Sequence, residues 1–399
     1  MSDSHGKPPL PFFRPPRFRT LPASFVRAAR RLEQERFAVA NGEVDRILGS
    51  TPRERWPELV ENPQLRTCGA IERLGAIFAD TVTNDPRKAQ AIAELGVSLC
   101  ENLPQGLYLE PTLAQIRAFT WKDLATALRF LGHSKEAIEI LNTAHAHLTR
   151  FGELAYDRAI VRFSLAVTLQ DVERFAESRD LLAECKGVFR DHRDDRRFTL
   201  CVFAEGGLLQ RMKRFREARE AYLLLLASAR TIEKETLAVL HRGIAMCSIE
   251  LGDFPEAETS LGHSITLHRE LGQRMEVLKG EALLGRLHVR RGDLELAVTH
   301  LRPIRREFLR NGLTEEAGIC GLEVVQAFLL LDRSSQAETL ARRIVGEFTA
   351  AGLNTRAISA LGYLAEAIAA RKVSETLVAD VREYIVSLRT SPERDFTSR

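Results

Sequence analysis

Leu251-Gly252-Asp253-Phe254-Pro255-Glu256-Ala257 returns forty residues later as Arg291-Gly292-Asp293-Leu294-Glu295-Leu296-Ala297. The same turn-then-helix element appears as Leu131-Gly132-His133-Ser134-Lys135-Glu136-Ala137, as Arg174-Phe175-Ala176-Glu177-Ser178, as Arg214-Phe215-Arg216-Glu217-Ala218 and as Asp332-Arg333-Ser334-Ser335-Gln336-Ala337. A small residue thus falls at 137, 178, 218, 257, 297 and 337, a period of 39 to 41. Extending the register forwards reaches Leu377, and stepping back 48 reaches Ala89, so seven or eight units are expected. Twelve residues before these anchors stand Ala125, Ala166, Gly206, Ala245, Gly285 and Ala365, with Ile77 and Val325 as exceptions. Two small residues per unit are what a closely packed antiparallel helix pair requires, because bulk there pushes the axes beyond about 8–10 Å.

Around Ala257, helix A is expected from Glu235 to Glu250, Gly252 as its left-handed cap, and helix B from Pro255 to about Leu271-Gly272. Further ends are expected at Phe151-Gly152, Asn311-Gly312 and Ala351-Gly352. No segment alternates as a half-buried strand does. The pattern predicts an all-α, right-handed superhelical α-solenoid of tandem antiparallel helix pairs over residues 65–390. Before it come a Pro/Arg-rich arm without fixed structure over 1–20 and a helical extension over 21–64; a tail without fixed structure follows over 391–399. The last helix, carrying Glu375, Asp380, Arg382, Glu383 and Arg389, reads as a polar cap.

These turns, with a small residue twelve positions upstream, resemble the tetratricopeptide repeat, whose unit is about 34 residues. The 40-residue unit is similar to the lengthened variant of bacterial regulators, including maltose-type transcription activators and Gram-positive pheromone-peptide receptors. The stretch from Thr51 to Leu103, with Arg53-Glu54-Arg55-Trp56 and Asp85-Pro86-Arg87-Lys88-Ala89, resembles the leading part of long bacterial repeat proteins. The resemblance implies a platform for protein or peptide partners, with helices A lining the concave wall.

A chain of 399 residues with 45% hydrophobic content exceeds one ordinary core, which suits a repeat array. The formal net charge of +3 gives no bulk field for nucleic acid. Residues 1–36 nonetheless hold eight Lys/Arg against Asp3, Glu33 and Glu35. With Phe12, Phe13, Phe18 and Pro8-Pro9-Leu10-Pro11 this arm has the residues for phosphate or polyproline-groove contacts, but reads as a solvated tail. Nucleic acid is not an expected partner. The six cysteines are widely spaced, no secretory leader or apolar span of about 20 residues occurs, and a cytoplasmic setting is expected.

No phosphate loop, His-Glu-x-x-His helix or Gly-x-Ser-x-Gly elbow occurs, so no cofactor, metal or catalytic role is expected. His145 and His147 point to different sides of a helix, His263 and His268 fare little better, and all read as packing or surface histidines. Asp194-Asp195, inside His192-Arg193-Asp194-Asp195-Arg196-Arg197, reads as a solvated linker.

Residues 15, 11, 8 and 7 before each anchor should face the concave wall: Lys122, Arg129, Phe130, Phe163, Phe203, Gln210, Arg211, Arg242, Met246, Arg286, Arg290 and Gln326, with Asp171 and Glu250 as acidic exceptions. Arginines on rigid helices fork onto carboxylates, which points to a protein or peptide partner bearing an acidic or C-terminal segment. Equally, they could pair with Glu and Asp of adjacent repeats. Lys122-Asp123-Leu124-Ala125-Thr126 matches the Lys-x-x-x-Asn clamp of chaperone-binding relatives except for threonine in place of asparagine. The leading expectation is a scaffold or adaptor binding a partner segment; the alternative is a ligand- or peptide-sensing module acting on a transcription factor or kinase.

Overall fold

The structure, a computed structural model, describes residues 23–39, 42–82, 85–104, 106–228, 233–373, 376–389 and 392–396. The Pro/Arg-rich arm lies outside them. Among the described residues every regular element is helical. An entry segment comprises α1 (Ala23–Val39), α2 (Glu43–Ser50) and a 3-10 helix (Arg53–Glu61). Antiparallel pairs follow: α3 (Cys68–Thr81) with α4 (Pro86–Glu101), α5 (Glu110–Phe130) with α6 (Ser134–Thr149), and α7 (Ala155–Asp171) with α8 (Phe175–Asp191). The next are α9 (Asp195–Arg211) with α10 (Phe215–Ser228), α11 (Lys234–Leu251) with α12 (Phe254–Glu270), and α13 (Arg274–Arg291) with α14 (Leu294–Arg310). The array ends with α15 (Thr314–Leu330), α16 (Ser334–Ala350), α17 (Thr355–Ala369) and α18 (Leu377–Ser387). Each helix packs on the next in sequence, and from α3 to α15 the odd-numbered helices also touch the next odd-numbered one, so the A helices form one wall of an α-solenoid.

The register explains the pairs residue by residue. All six anchors, Ala137, Ser178, Ala218, Ala257, Ala297 and Ala337, are fully buried. Five residues before each, the backbone turns left-handed at Gly132, Glu173, Lys213, Gly252, Gly292 and Asp332. The next N–H bonds back to the carbonyl five residues earlier, as Asp253 does to Ser248 at 2.9 Å and Asp293 to His288 at 2.9 Å. Glycine fits this conformation without a Cβ penalty; at Glu173, Lys213 and Asp332 the same bond holds a larger residue there.

The small residue twelve before the anchor faces the residue four after it. A Cβ at Gly206 would come within 2.3 Å of the Tyr222 ring, and one at Gly285 within 2.2 Å of Leu301 Cδ2. At the corresponding places Ala125, Ala166 and Ala245 are matched by buried Leu141, Leu182 and Leu261. The two exceptions invert the sizes: Val325 is matched with Ala341, and Ile77 with Ala93. Total volume in the helix A–helix B gap is thus kept while its two contributors trade places.

The entry segment closes the first pair. Arg36 forks onto Glu72 with two bonds of 2.6 Å, and Glu35 accepts from the Tyr108 hydroxyl at 2.7 Å and from the Gly69 N–H at 3.3 Å. Trp56 is buried with Val44 and Leu48 beside Ile71 and Leu74, its indole N–H donating to the Thr51 carbonyl at 3.0 Å.

The C-terminal end departs from the expected cap. The last turn goes left-handed at Arg371, one residue before the register, and α18 packs on the A helices α15 and α17 rather than beside α16. Its Leu377, Val378, Val381, Tyr384 and Ile385 are buried, and so is Arg382. Residues 392–396, expected to have no fixed structure, lie against the body: the Pro392 carbonyl accepts from Asn354 Nδ2 at 2.8 Å, and the Arg394 carbonyl accepts from the Tyr384 hydroxyl at 2.6 Å.

Candidate binding groove

The A-helix wall is crossed by ion pairs that join one repeat to the next. In the first rung Asp171 of α7 is buried between Arg129 of α5 and Arg211 of α9, each 3.5 Å away. Burial pushes the Asp171 carboxyl up, and the two guanidiniums pull it back. Arg129 also lies over the Phe130 ring at 4.8 Å, and Arg211 over Phe175 at 5.8 Å. In the second rung Arg242 of α11 pairs with Glu276 of α13, which also takes Lys279 at 2.7 Å. Burial opposes the Glu276 charge, but the two cations outweigh it and hold its carboxyl down at about 2.

The third rung is the longest. Glu250 of α11 takes Arg286 and Arg290, both from α13 and one helical turn apart, the latter at 2.7 Å. Arg286 reaches on to Glu323 of α15 at 3.6 Å, and Glu323 accepts from Arg382 of α18 at 2.5 Å. Glu323 and Arg382 are both buried, and burial lowers the arginine's hold on its proton. Here the wall is covered by the chain's own last helix.

The arginines therefore pair with carboxylates of adjacent repeats. Several other candidates have structural duties as well. Gln210 donates to the Gly243 carbonyl at 3.3 Å and to Cys247 Sγ at 3.1 Å, tying α9 to α11. Gln170, at the same place one repeat earlier, bonds the Ala204 carbonyl at 3.2 Å. Phe163 and Phe203 are half-buried against the inter-repeat core, the latter 5.9 Å from the Tyr222 ring. Lys122 is held by its neighbour Asp123 at 2.5 Å, and the Thr126 hydroxyl donates to the Lys122 carbonyl at 2.8 Å. Gln326 lines a separate open cleft of about 1030 Å³ with Leu330, Ser334 and Val378. Phe130 and Met246 remain substantially in solvent, at 41% and 38% exposure.

Asp194 stands in the short linker between α8 and α9, as expected, beside exposed His192 and Arg193, but its carboxylate is engaged. It caps α9 by accepting from the Arg197 N–H at 2.9 Å, and its other oxygen takes the Tyr156 hydroxyl and the Arg197 side chain at 2.8 Å. Among the described residues no three His, Cys, Asp or Glu side chains are placed to hold a metal ion. His147 packs edge-on to Trp121, and His263 faces His241 with 4.8 Å between ring centres. No described helix is long and apolar enough to cross a membrane.

Sequence reasoning missed Glu276, Glu323 and Arg382 as members of the wall. The last two carried a signal: each is a charge among apolar neighbours, Glu323 within Ile319-Cys320-Gly321-Leu322-Glu323-Val324-Val325 and Arg382 between Val378 and Ile385.

No family model and no curated protein matches the chain. Solved structures do. The apo form of RapI superposes over 90% of this chain and 98% of its own length, with TM-score 0.58 and 14% identity. A signal-transduction ATPase with a tetratricopeptide repeat sensor, from Pyrococcus horikoshii, matches 82% of this chain and 53% of its own, with TM-score 0.53 and 12% identity. Aspartyl phosphate phosphatase F from Bacillus subtilis matches 89% of this chain and 96% of its own, with TM-score 0.49 and 12% identity. The forty-residue register, the paired helices and the first two of these likenesses converge on one architecture: by fold, the chain is a tetratricopeptide-like repeat protein.

Proposed function

We propose that the chain is a scaffold whose A-helix wall binds a segment of a partner protein between α5 and α11. One observation carries this reading: Phe130 and Met246 stand exposed on that stretch, while the wall at α15 and α17 is covered by α18. Exposed apolar residues beside partly exposed arginines have the makeup of an interface. Arg129 and Arg211 share Asp171 at the long distance of 3.5 Å, so guanidinium N–H groups are left to orient a carboxylate of the partner. The partner is accordingly an apolar segment bearing an acidic residue. The chemistry is recognition rather than catalysis.

Selection of phage-displayed peptides on the full chain, followed by calorimetry, tests this. Phe130→Ser and Met246→Ser should each weaken the selected peptides by roughly 30-fold, the equivalent of about 2 kcal/mol at an interface hot spot. Arg211→Glu should shift selection away from acidic sequences. Equal affinity for wild type and all three variants, with unchanged circular dichroism, would exclude this wall as the binding surface.

A further inference from the structure

Three consecutive A-to-B turns meet the C-terminal segment through the same repeat position. Gly132 lies under Pro392, where a Cβ would come within 2.6 Å of the proline Cγ. Glu173 pairs with Arg394, and Lys213 Nζ lies 3.2 Å from the Glu383 carboxylate. The span from Glu173 to Arg394 is 221 residues, so these contacts join the second, third and fourth helix pairs to the far end of the array. At that end the segment is anchored to α17 and α18: Asn354 holds the Pro392 carbonyl, Arg356 pairs with Asp395, and the Phe396 ring lies 5.0 Å from that of Tyr384. No extended helix packing joins α5–α10 to α15–α18 among the described residues.

We propose that Glu383 and residues 392–396 form a latch that holds the curled array at one pitch and releases it when the turn contacts break. The two halves of the latch differ in strength. On the α17–α18 side it continues from Tyr384 and Leu388, both buried, and from the buried Arg382–Glu323 pair. On the turn side it relies on ion pairs whose four side chains are each about half exposed, which are weak individually and screened by salt. Opening therefore parts the early turns from α18 without unfolding either. Each repeat touches only its neighbours, so small rotations add along the array, and a tie between its ends removes that freedom.

The turn conformation itself is not confined to the latch. Glu173 and Lys213 hold side chains at φ 61° and 58°, where Gly132, Gly252 and Gly292 sit without strain. Asp332 shares the conformation at another turn, so it is the ion pairs that single out the two latch residues. The latch stands whether or not the wall binds a partner.

Spin labels at Lys135→Cys and Ser359→Cys, both exposed and on opposite sides of the junction, report the closure by double electron–electron resonance in the full chain. The six native cysteines are all buried. The otherwise wild-type chain should give one narrow distance peak at low salt. Arg394→Glu with Glu383→Lys should lengthen and broaden it, and adding Glu173→Arg with Lys213→Glu should restore the narrow peak by exchanging charges across the same contacts. Should the reversed variants fold poorly, salt alone serves: the unaltered latch should open towards about 1 M, where the Debye length is about 3 Å. A peak that ignores both charge reversal and salt, or a reversal that the exchange leaves unrepaired, overturns the latch.

Discussion

The traded volumes between helix A and helix B make a quantitative prediction at Gly285 and Leu301. Leu301 is fully buried, and its Cδ2 and Cγ lie 2.2 and 2.4 Å from where a Cβ on Gly285 would sit. Gly285→Val alone places three carbons in space that Leu301 already fills, and overpacking of this kind costs about 1–3 kcal/mol. Leu301→Ala alone removes three carbons from a filled core and costs about 2–5 kcal/mol. Were the changes independent, the double variant would lose roughly 3–8 kcal/mol. Because the double variant restores the carbon count and recreates the arrangement of Val325 with Ala341, it should lose less than about 2 kcal/mol, as volume-conserving core swaps do. Urea denaturation of the wild type, both single variants and the double, followed by circular dichroism, supplies the cycle. A double-variant loss equal to the sum of the single losses would show that these two positions do not share one gap, and the register argument would fail with it.

Two further outcomes follow from the rungs of the wall. Glu323→Leu should destabilise the C-terminal helices by about 3–5 kcal/mol, because it strands buried Arg382; Arg382→Met should cost less, since Glu323 keeps Arg286 at 3.6 Å, and hydrogen exchange over α15–α18 resolves the two. Glu276 is held at about 2 in the fold against an ordinary value of 4.5, so its contribution is present above pH 4.5 and is lost as pH falls from there towards 2; Glu276→Gln should flatten that part of an acid-unfolding curve, and an unchanged curve would refute the assignment.

Much of the fold was legible because the repeat is written in side-chain size. The anchors from Ala137 to Ala337 gave the period, and the small residues twelve before them located the close helix crossing. Ile77 and Val325 looked like lapses in that pattern until Ala93 and Ala341 were seen opposite them. The pairing of positions across the gap is tertiary, and a list of small residues on one helix does not show it. At the wall, the offsets located the arginines, but their state depended on Glu250, Glu276 and Glu323 reaching from the adjacent helix. The course of α18 was hidden for a related reason: seven residues separate α17 from α18, where the A-to-B turns from α5 to α16 take two or three, and apolar periodicity alone is the same in the B layer and on the A wall. Asp194 stands in an interhelix linker, as its sequence context indicates, but that it caps α9 depends on the turn geometry there.

The backbone bond that closes the A-to-B turns from α5 onward has a consequence for how such a chain can change over time. It uses only main-chain atoms, and it tolerates glycine, glutamate, lysine or aspartate at its left-handed position. The close crossing likewise asks for a total volume, not for particular residues. The architecture therefore constrains few letters of the sequence, and those it does constrain have substitutes. Two lineages can keep the same arrangement of helices while losing nearly all resemblance in their residues, which is how 14% identity and superposition along 98% of another chain can coexist.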